Sequence, residues 1–131
     1  MTVGQRFAER PPVVLVIDDE DYVADMIASV LELEGMVTHV AYNGHEGLAQ
    51  AERLSLDLLV IDIMMPYMSG IDLILHVRAH PPMQDLPVIL ISAGARPQEQ
   101  LPHVTFVPKP FDMDELVELV VGTIRSGGRV V

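Results

Sequence analysis

Apolar and polar positions follow two different spacings along this chain, and the two spacings alternate. The run VVLVI at Val13–Ile17 is apolar at every position, which is typical of a strand buried on both faces of a parallel sheet. The segment 22–34 instead repeats its apolar residues at helical spacing, and Gly35 follows it as a stop signal. The pattern therefore predicts that strands and helices alternate from the first element onward.

The same reasoning along the whole chain predicts an α/β fold. It places strands at 13–17, 37–41, 57–62, 88–92 and 105–107, and helices at 22–34, 44–53, 71–79 and from 113 onward. Asn43 and Asp112 stand where they can cap the second and the last helix. Because right-handed crossovers bury both sides of each inner strand, this order predicts a parallel sheet with helices on both faces.

Length and composition describe one globular domain. Of the 131 residues, 50% are hydrophobic, which is enough for one buried core. We expect the domain at 13–125, a flexible arm at 1–12 and a tail at 126–131. If this sequence is the whole protein, we expect its signal to pass by protein contact, because only SGGRVV follows Arg125.

The charge argues against some classes of partner. The 19 acidic and 8 basic residues give a net charge of -11, which repels nucleic acid and anionic lipid. Every apolar run is far shorter than the roughly 20 residues that cross a bilayer, and the first residues lack the apolar stretch of a signal peptide. The chain also has no cysteine, which is compatible with a reducing cytosol. We expect a cytoplasmic protein that binds neither nucleic acid nor a membrane directly.

Polar residues stand at the ends of four predicted strands. Asp18 and Asp19 follow the first strand, Asp62 ends the third, Ser92 ends the fourth and Lys109 follows the fifth. The carboxyl ends of parallel strands meet at one edge of the sheet, where ligands bind in open α/β folds. We therefore expect these five side chains to converge, although folding alone does not require it.

A cluster of this composition suits phosphoryl chemistry. Three carboxylates raise one another's pKa unless a cation compensates, and Mg²⁺ prefers such oxygen ligands while keeping positions open for water and phosphate. A carboxylate beside the metal can attack a phosphoryl donor. Lys109 and the hydroxyl of Ser92 can then hold phosphoryl oxygens.

Four motifs occur in an order that resembles the receiver domains of two-component response regulators. They are VIDDED after the first strand, DLLVIDIMMPYMSG around the third, LISAG at the fourth and FVPKPF at the fifth, and the resemblance covers about 13–125. It implies a flavodoxin-like, doubly wound five-stranded parallel sheet in the order 2-1-3-4-5.

The resemblance also implies a metal site and an acceptor. Asp62 resembles the phosphoacceptor. Asp19 and Asp62 resemble the carboxylates that bind Mg²⁺, with the backbone carbonyl of Met64 as a third ligand and Asp18 acting through water.

Three further residues match positions that respond to the phosphoryl group in this family. Ser92 and Lys109 resemble the pair that senses it, and Phe106 stands where the family places an aromatic ring that turns inward on activation. The resemblance further implies a cis peptide bond between Lys109 and Pro110, a geometry that is almost confined to proline.

The implied function is that of a switched signalling domain. It would accept phosphate from a histidine kinase or a phosphotransfer protein and contact an unidentified output protein, and a homodimer is one arrangement the family allows. It would assist its own phosphorylation and dephosphorylation without being an enzyme in the ordinary sense.

One segment departs from the family. Ser92 and Lys109 are 109 - 92 = 17 positions apart, several fewer than usual. The shortfall shortens or removes the helix between the fourth and fifth strands, and leaves room for one helical turn at 98–101. In the family this helix commonly forms part of the surface that contacts a second copy or an output protein, and that inference does not carry over to this chain.

Other functions remain open. An aspartate-based phosphatase needs an acid two positions after Asp62, where Met64 stands. A flavin carrier needs a phosphate loop where DDED places negative charge, and DDED could also be only a helix cap. The main alternative is a docking module that keeps the receiver fold and works without phosphorylation.

Overall fold

The computed structural model describes Phe7 and residues 10–94, 96, 97 and 100–127. Strands and helices alternate as predicted. The strands are β1 (Val13–Ile17), β2 (Val37–Ala41), β3 (Leu58–Asp62), β4 (Val88–Ser92) and β5 (Val104–Pro108). The helices are α1 (Asp21–Leu33), α2 (Gly44–Arg53), α3 (Gly70–Arg78) and α4 (Met113–Gly127). A short 3-10 helix, Pro81–Met83, occupies the predicted turn before β4.

The five strands form one parallel sheet in the order β2-β1-β3-β4-β5, which confirms the predicted fold. Every residue of β3 and β4 is buried, because helices cover both faces of these inner strands. The edge strand β5 is only partly covered and ends in Pro108. A proline is tolerated there since an edge strand has one side without a ladder partner.

Alternate strand residues face two hydrophobic cores. Val14 and Val16 pack with α1 and α4 on one face of the sheet. Leu15 and Ile17 pack with α2 and α3 on the other face. The period of two along each strand thus separates the helices into two layers around the sheet.

The helix starts follow the predicted caps. Asn43 accepts a hydrogen bond from the N–H of Glu46 at 2.8 Å, and Asp112 accepts one from the N–H of Asp114 at 2.8 Å. The last helix continues through Gly127, two residues into the predicted tail. Within the part of the chain that the structure describes, every helix falls short of the length and apolar content that a membrane span requires.

Part of the predicted N-terminal arm contacts the domain. Phe7 packs against the core beside α4, and the guanidinium of Arg125 lies 5.7 Å from the centre of its ring. Arg10 forms an ion pair with Asp57 at 3.4 Å. Asp57 also accepts a hydrogen bond from the N–H of Val13 at 2.8 Å, which ties the start of β1 to the start of β3.

The connection between β4 and β5 has no helix among its described residues, where this fold usually has one. Its described residues, 93, 94, 96, 97 and 100–103, belong to no helix, in agreement with the predicted shortening. Of the helical turn predicted at 98–101, Gln98 and Glu99 lie outside the described residues, while Gln100 and Leu101 are not helical.

This connection leaves a cavity of about 540 Å³ beside β4 and β5. Leu90, Val104 and Phe106 are among the residues that line it, and the guanidinium of Arg96 lies 5.2 Å from the centre of the Phe106 ring. Arg78 of α3 donates hydrogen bonds to the carbonyls of Met83 at 2.8 Å and of Pro102 at 3.0 Å. It thereby ties the segment before β5 to the helical layer.

Candidate functional site

Three aspartates meet at the carboxyl-terminal edge of the sheet. Asp18 and Asp19 follow β1, and Asp62 is the last residue of β3. One carboxylate oxygen from each lies within 4.8 Å of the others. Asp18 and Asp62 are only 3% and 4% exposed, whereas Asp19 faces solvent. The structure thus brings together the three carboxylates that the sequence predicts to converge.

Asp18 is buried because it extends the ladder of β1. Its N–H donates to the carbonyl of Ala41 at 3.1 Å, and its Oδ1 accepts from the N–H of Glu20 at 2.9 Å. Burial raises the pKa of Asp18 to about 6, the hydrogen bond from Glu20 opposes the rise, and the Asp62 carboxylate adds to it. The run DDED is therefore more than a helix cap, and the side chain of Glu20, at the N-cap of α1, makes no capping hydrogen bond.

Asp62 pairs with the only lysine of the chain. The Lys109 Nζ lies 3.4 Å from Oδ1 of Asp62. That oxygen is buried and receives no hydrogen bond from the described part of the chain. Burial raises the pKa of Asp62, and the ammonium of Lys109 offsets part of the rise. A buried acceptor oxygen with one ion-pair partner has room for a further cation or donor.

The pKa of Lys109 depends on the same two opposing effects, burial and the charge of its partner. Burial alone would lower this pKa, but the carboxylates of Asp62 and Asp18 outweigh that effect and raise it above the ordinary value. Lys109 therefore stays charged, and its ammonium is the cation that faces the buried carboxylates.

Ser92 lies next to this pair at the end of β4. It is 2% exposed, and its Oγ accepts a hydrogen bond from the N–H of Gly94 at 3.0 Å. Its carbonyl accepts one from the N–H of Lys109 at 2.8 Å. The backbone thus holds Ser92 and Lys109 together, while the hydroxyl hydrogen of Ser92 can still be donated.

Two prolines flank Lys109. Pro108 ends β5 opposite Ser92, and the peptide bond between Lys109 and Pro110 is cis, as the family resemblance implied. Fixed φ angles at both prolines restrict the backbone around the lysine. The lysine is therefore presented from a stiff segment at the sheet edge.

Phe106 occupies the middle of β5 and is partly buried. It pairs in register with Leu90 of β4, and it lines the cavity beside β4 and β5. The ring lies between the strand and Arg96. This cavity gives the ring space beside it, which a switch by ring movement needs.

The loop between β3 and α3 packs closely on the end of β3. A Cβ added to Gly70 would come within 2.8 Å of the Asp62 carbonyl oxygen and of the Ile63 Cα. Such a distance is closer than real Cβ contacts, so only glycine fits here. The sequence pattern did not reveal this role, since MSG shows only a glycine after a helix cap.

Met64 follows in the same loop and is 68% exposed. Its side chain therefore stands largely in solvent, whereas Met65 and Met68 are buried. Its carbonyl as a metal ligand remains a prediction.

The donor set fits a hard divalent cation. Clustered carboxylate oxygens, one of them buried without a hydrogen bond, are the ligand type that Mg²⁺ prefers. The cluster contains neither histidine nor cysteine, which softer metals favour.

The site geometry and the family comparison agree. The family described as response regulator receiver domain matches residues 14–121. The chain belongs to this family. Receiver domains are signalling domains of two-component systems, which act with histidine kinases and output domains and are not classical enzymes.

Relatives of this receiver domain differ in length. The "Probable transcriptional regulatory protein TcrX" of Mycobacterium tuberculosis is 34% identical over 124 residues, which cover 91% of this chain and 52% of that protein. The "Uncharacterized 14.6 kDa protein in sodA1 3'region" of Leptolyngbya boryana is 38% identical over 82% of this chain and 86% of its own length. The chain thus spans about half the length of TcrX and most of the shorter relative.

Solved structures show the same fold. The receiver domain of the Francisella response regulator 1452 is 33% identical, with a TM-score of 0.78 over 88% of this chain and 98% of that domain.

Proposed function

We propose that Asp62 accepts a phosphoryl group from a phosphohistidine of a histidine kinase or phosphotransfer protein, in a reaction that depends on Mg²⁺. The observation that carries the proposal is the buried Oδ1 of Asp62, which faces Lys109 and receives no hydrogen bond from the described residues. In the transfer, a carboxylate oxygen of Asp62 bonds to phosphorus, while the bond from phosphorus to the imidazole nitrogen breaks.

The acidic cluster provides the ligands for the metal. Mg²⁺ held by Asp19, Asp62 and the carbonyl of Met64, with Asp18 acting through water, would supply positive charge to the phosphoryl oxygens. The arrangement of the three carboxylates within 4.8 Å supports this assignment.

Lys109 and Ser92 serve as the protein's own donors to the phosphoryl group. The ammonium already lies at the acceptor carboxylate, and the hydroxyl of Ser92 stands at the end of the adjacent strand. Both form hydrogen bonds to phosphoryl oxygens, and those of a charged ammonium are the stronger kind. The ends of β4 and β5 thereby change their contacts when the phosphoryl group is present.

The conformational change at the site extends along β4 and β5. When Ser92 turns toward the phosphoryl group, the local packing around Phe106 changes, and the ring has the adjoining cavity to move within. A population shift of this ring alters the surface that a partner protein contacts. The output is a change in protein contact, and the output protein is unidentified.

The proposal is tested by incubating the protein with Mg²⁺ and acetyl phosphate and measuring its intact mass. An acyl phosphate adds about 80 Da, and we expect this adduct only with Mg²⁺ present. Asp62→Asn should lose it. Asp85→Asn should retain it, since the Asp85 side chain is 90% exposed and lies outside the acidic cluster.

A negative result has a specific meaning. If Mg²⁺ binds but neither acetyl phosphate nor a cognate phosphohistidine donor gives the adduct, the proposal fails. The phosphorylation-independent docking module would then be the better description of this receiver domain.

A further inference from the structure

Tyr67 has a backbone conformation that its side chain disfavours. Its φ is 69°, and the N–H of Met68 donates to the carbonyl of Pro66 at 2.8 Å, closing a three-residue turn around it. A positive φ in such a turn costs a residue with a Cβ about 1–3 kcal/mol, which glycine avoids. The backbone therefore favours a different residue at this position.

Contacts of the Tyr67 side chain within the domain do not offset this cost. It is 98% exposed, so it buries almost no area in the fold. Exposed tyrosines often dominate the binding energy of protein interfaces, because they offer a large rigid ring with a polar end. Folding explains neither the conformation nor the residue type, whereas binding would explain the residue type.

Two more large apolar side chains are exposed nearby. Met64 is 68% exposed in the same loop, and Leu75 of α3 is 55% exposed. Tyr67 and Leu75 line one cavity of about 370 Å³. We call Met64, Tyr67 and Leu75 the α3 patch.

The shape of this cavity follows one stripe of α3. It is also lined by Asp72, His76 and Ala79, which with Leu75 lie at i, i+3, i+4 and i+7 on a single helix face. Such a stripe is about 10 Å long. An element that lies lengthwise along it, as one helix does on another, meets the whole stripe.

The surroundings are negatively charged. Asp72 lines the cavity, and Asp62 of the acidic cluster stands two positions before Met64. The whole chain carries a net charge of -11. A partner that brings apolar side chains here is favoured when its flanking charges are positive.

We propose that the α3 patch binds a basic amphipathic helix of a partner protein, with an apolar side chain between Tyr67 and Leu75 and a cation beside Asp72. None of the residues that line this cavity also lines the cavity at Phe106. The proposed binding does not depend on phosphorylation of Asp62.

The test uses two synthetic helical peptides with the same leucine face, one with lysine and arginine on its polar face and one with glutamate. Binding is measured by titration calorimetry in Mg²⁺ at physiological salt, and the bound surface by amide chemical-shift changes. We expect the basic peptide alone to bind and to shift residues of the α3 patch. Tyr67→Asn and Leu75→Gln should each weaken it by about tenfold.

The matched control is Leu33→Gln on α1, since Leu33 is 62% exposed and lies outside the α3 patch. It should change the affinity less than twofold. Tyr67→Asn should also fold about as stably as the natural chain, because the Tyr67 side chain is 98% exposed and buries almost no area in the fold. Loss of binding therefore cannot be attributed to unfolding.

Three results would overturn the proposal. They are equal binding of the glutamate peptide, shifts confined to another surface, and equal weakening by Leu33→Gln and Tyr67→Asn. The acetyl phosphate experiment tests a separate claim. A missing mass adduct refutes phosphorylation at Asp62, whereas only the peptide data decide whether the α3 patch binds a partner.

Discussion

The Lys109 Nζ lies 3.4 Å from the Asp62 Oδ1, and this pair joins the end of β5 to the end of β3 across β4. The carboxylate is 5% exposed and the lysine side chain 24% exposed. Removing one member of such a pair leaves a buried charge without compensation. The pair is therefore expected to contribute to stability as well as to phosphoryl transfer.

We predict that Lys109→Gln lowers the free energy of unfolding of the metal-free protein by about 1–2 kcal/mol at pH 7, a range reduced for the partial exposure of Lys109. The loss should be much smaller in an Asp62→Asn background, because no buried charge then remains unpaired. Urea denaturation of the four variants in EDTA measures this coupling.

The Arg10–Asp57 pair has the same 3.4 Å separation but an arginine that is 63% exposed, so it serves as the control. Arg10→Gln should cost less than about 1 kcal/mol. Equal losses from Lys109→Gln in both backgrounds would show that the buried pair is not coupled.

The pH dependence of stability depends on Asp18. Its folded pKa of about 6 lies above the ordinary aspartate value, so its contribution is fully present below the unfolded pKa and is lost as pH rises through about 6. We predict that Asp18→Asn makes the metal-free protein more stable at pH 7, by about 1–3 kcal/mol. The advantage should shrink as pH falls from 7 to 4.

Urea denaturation in EDTA at several pH values tests this sign. An advantage of Asp18→Asn that stays constant from pH 7 to pH 4 would contradict the titration of Asp18 described above.

Mg²⁺ should offset the repulsion among the clustered carboxylates and so raise the free energy of unfolding. At a free concentration tenfold above its dissociation constant, a bound ion stabilises the folded state by about 1.4 kcal/mol. We predict that Asp19→Asn removes most of this gain although Asp19 is exposed, because its oxygen belongs to the cluster. Asp85→Asn should retain the gain. Denaturation midpoints with Mg²⁺ and with EDTA provide the comparison.

Gly70 fixes the loop that follows Asp62. A Cβ at this position meets backbone atoms of Asp62 and Ile63 at 2.8 Å, and backbone cannot move aside cheaply. We predict that Gly70→Ala lowers the free energy of unfolding by about 1–3 kcal/mol and weakens Mg²⁺ binding. Both are measured by denaturation and by titration of the metal.

Gly122 of α4 offers a matched control, since a Cβ there meets nothing within 4 Å. Gly122→Ala should stabilise the protein by about 0.5–1 kcal/mol, because alanine is the better helix former. If Gly70→Ala behaved like Gly122→Ala, the close packing of the loop on β3 would be wrong.

Much of the fold could be predicted because its main signals are local. The inner strands are buried on both faces and appear as continuous apolar runs, and Asn43 and Asp112 mark helix starts by their own side chains. Once the strands are parallel, Asp62, Ser92 and Lys109 must approach one edge of the sheet.

Other features depend on contacts between distant parts of the chain. Asp18 and Asp19 are identical neighbours, but only Asp18 is buried, and its N–H bonds to the carbonyl of Ala41 on the distant strand β2. Gly70 needs glycine because it meets the backbone of β3, which its neighbours in sequence do not show. Tyr67 gives no signal of a left-handed turn, since such turns usually contain glycine or asparagine.

The most direct test of the central claim locates the phosphoryl group on the chain. Protein treated with acetyl phosphate and Mg²⁺ is reduced with borohydride, which converts an aspartyl phosphate to homoserine, and is then mapped by peptide mass spectrometry. We predict homoserine at position 62 and at no other aspartate. Conversion at Asp18 or Asp19 instead, or reduction at no aspartate despite a mass adduct, would contradict the assignment of Asp62 as the acceptor.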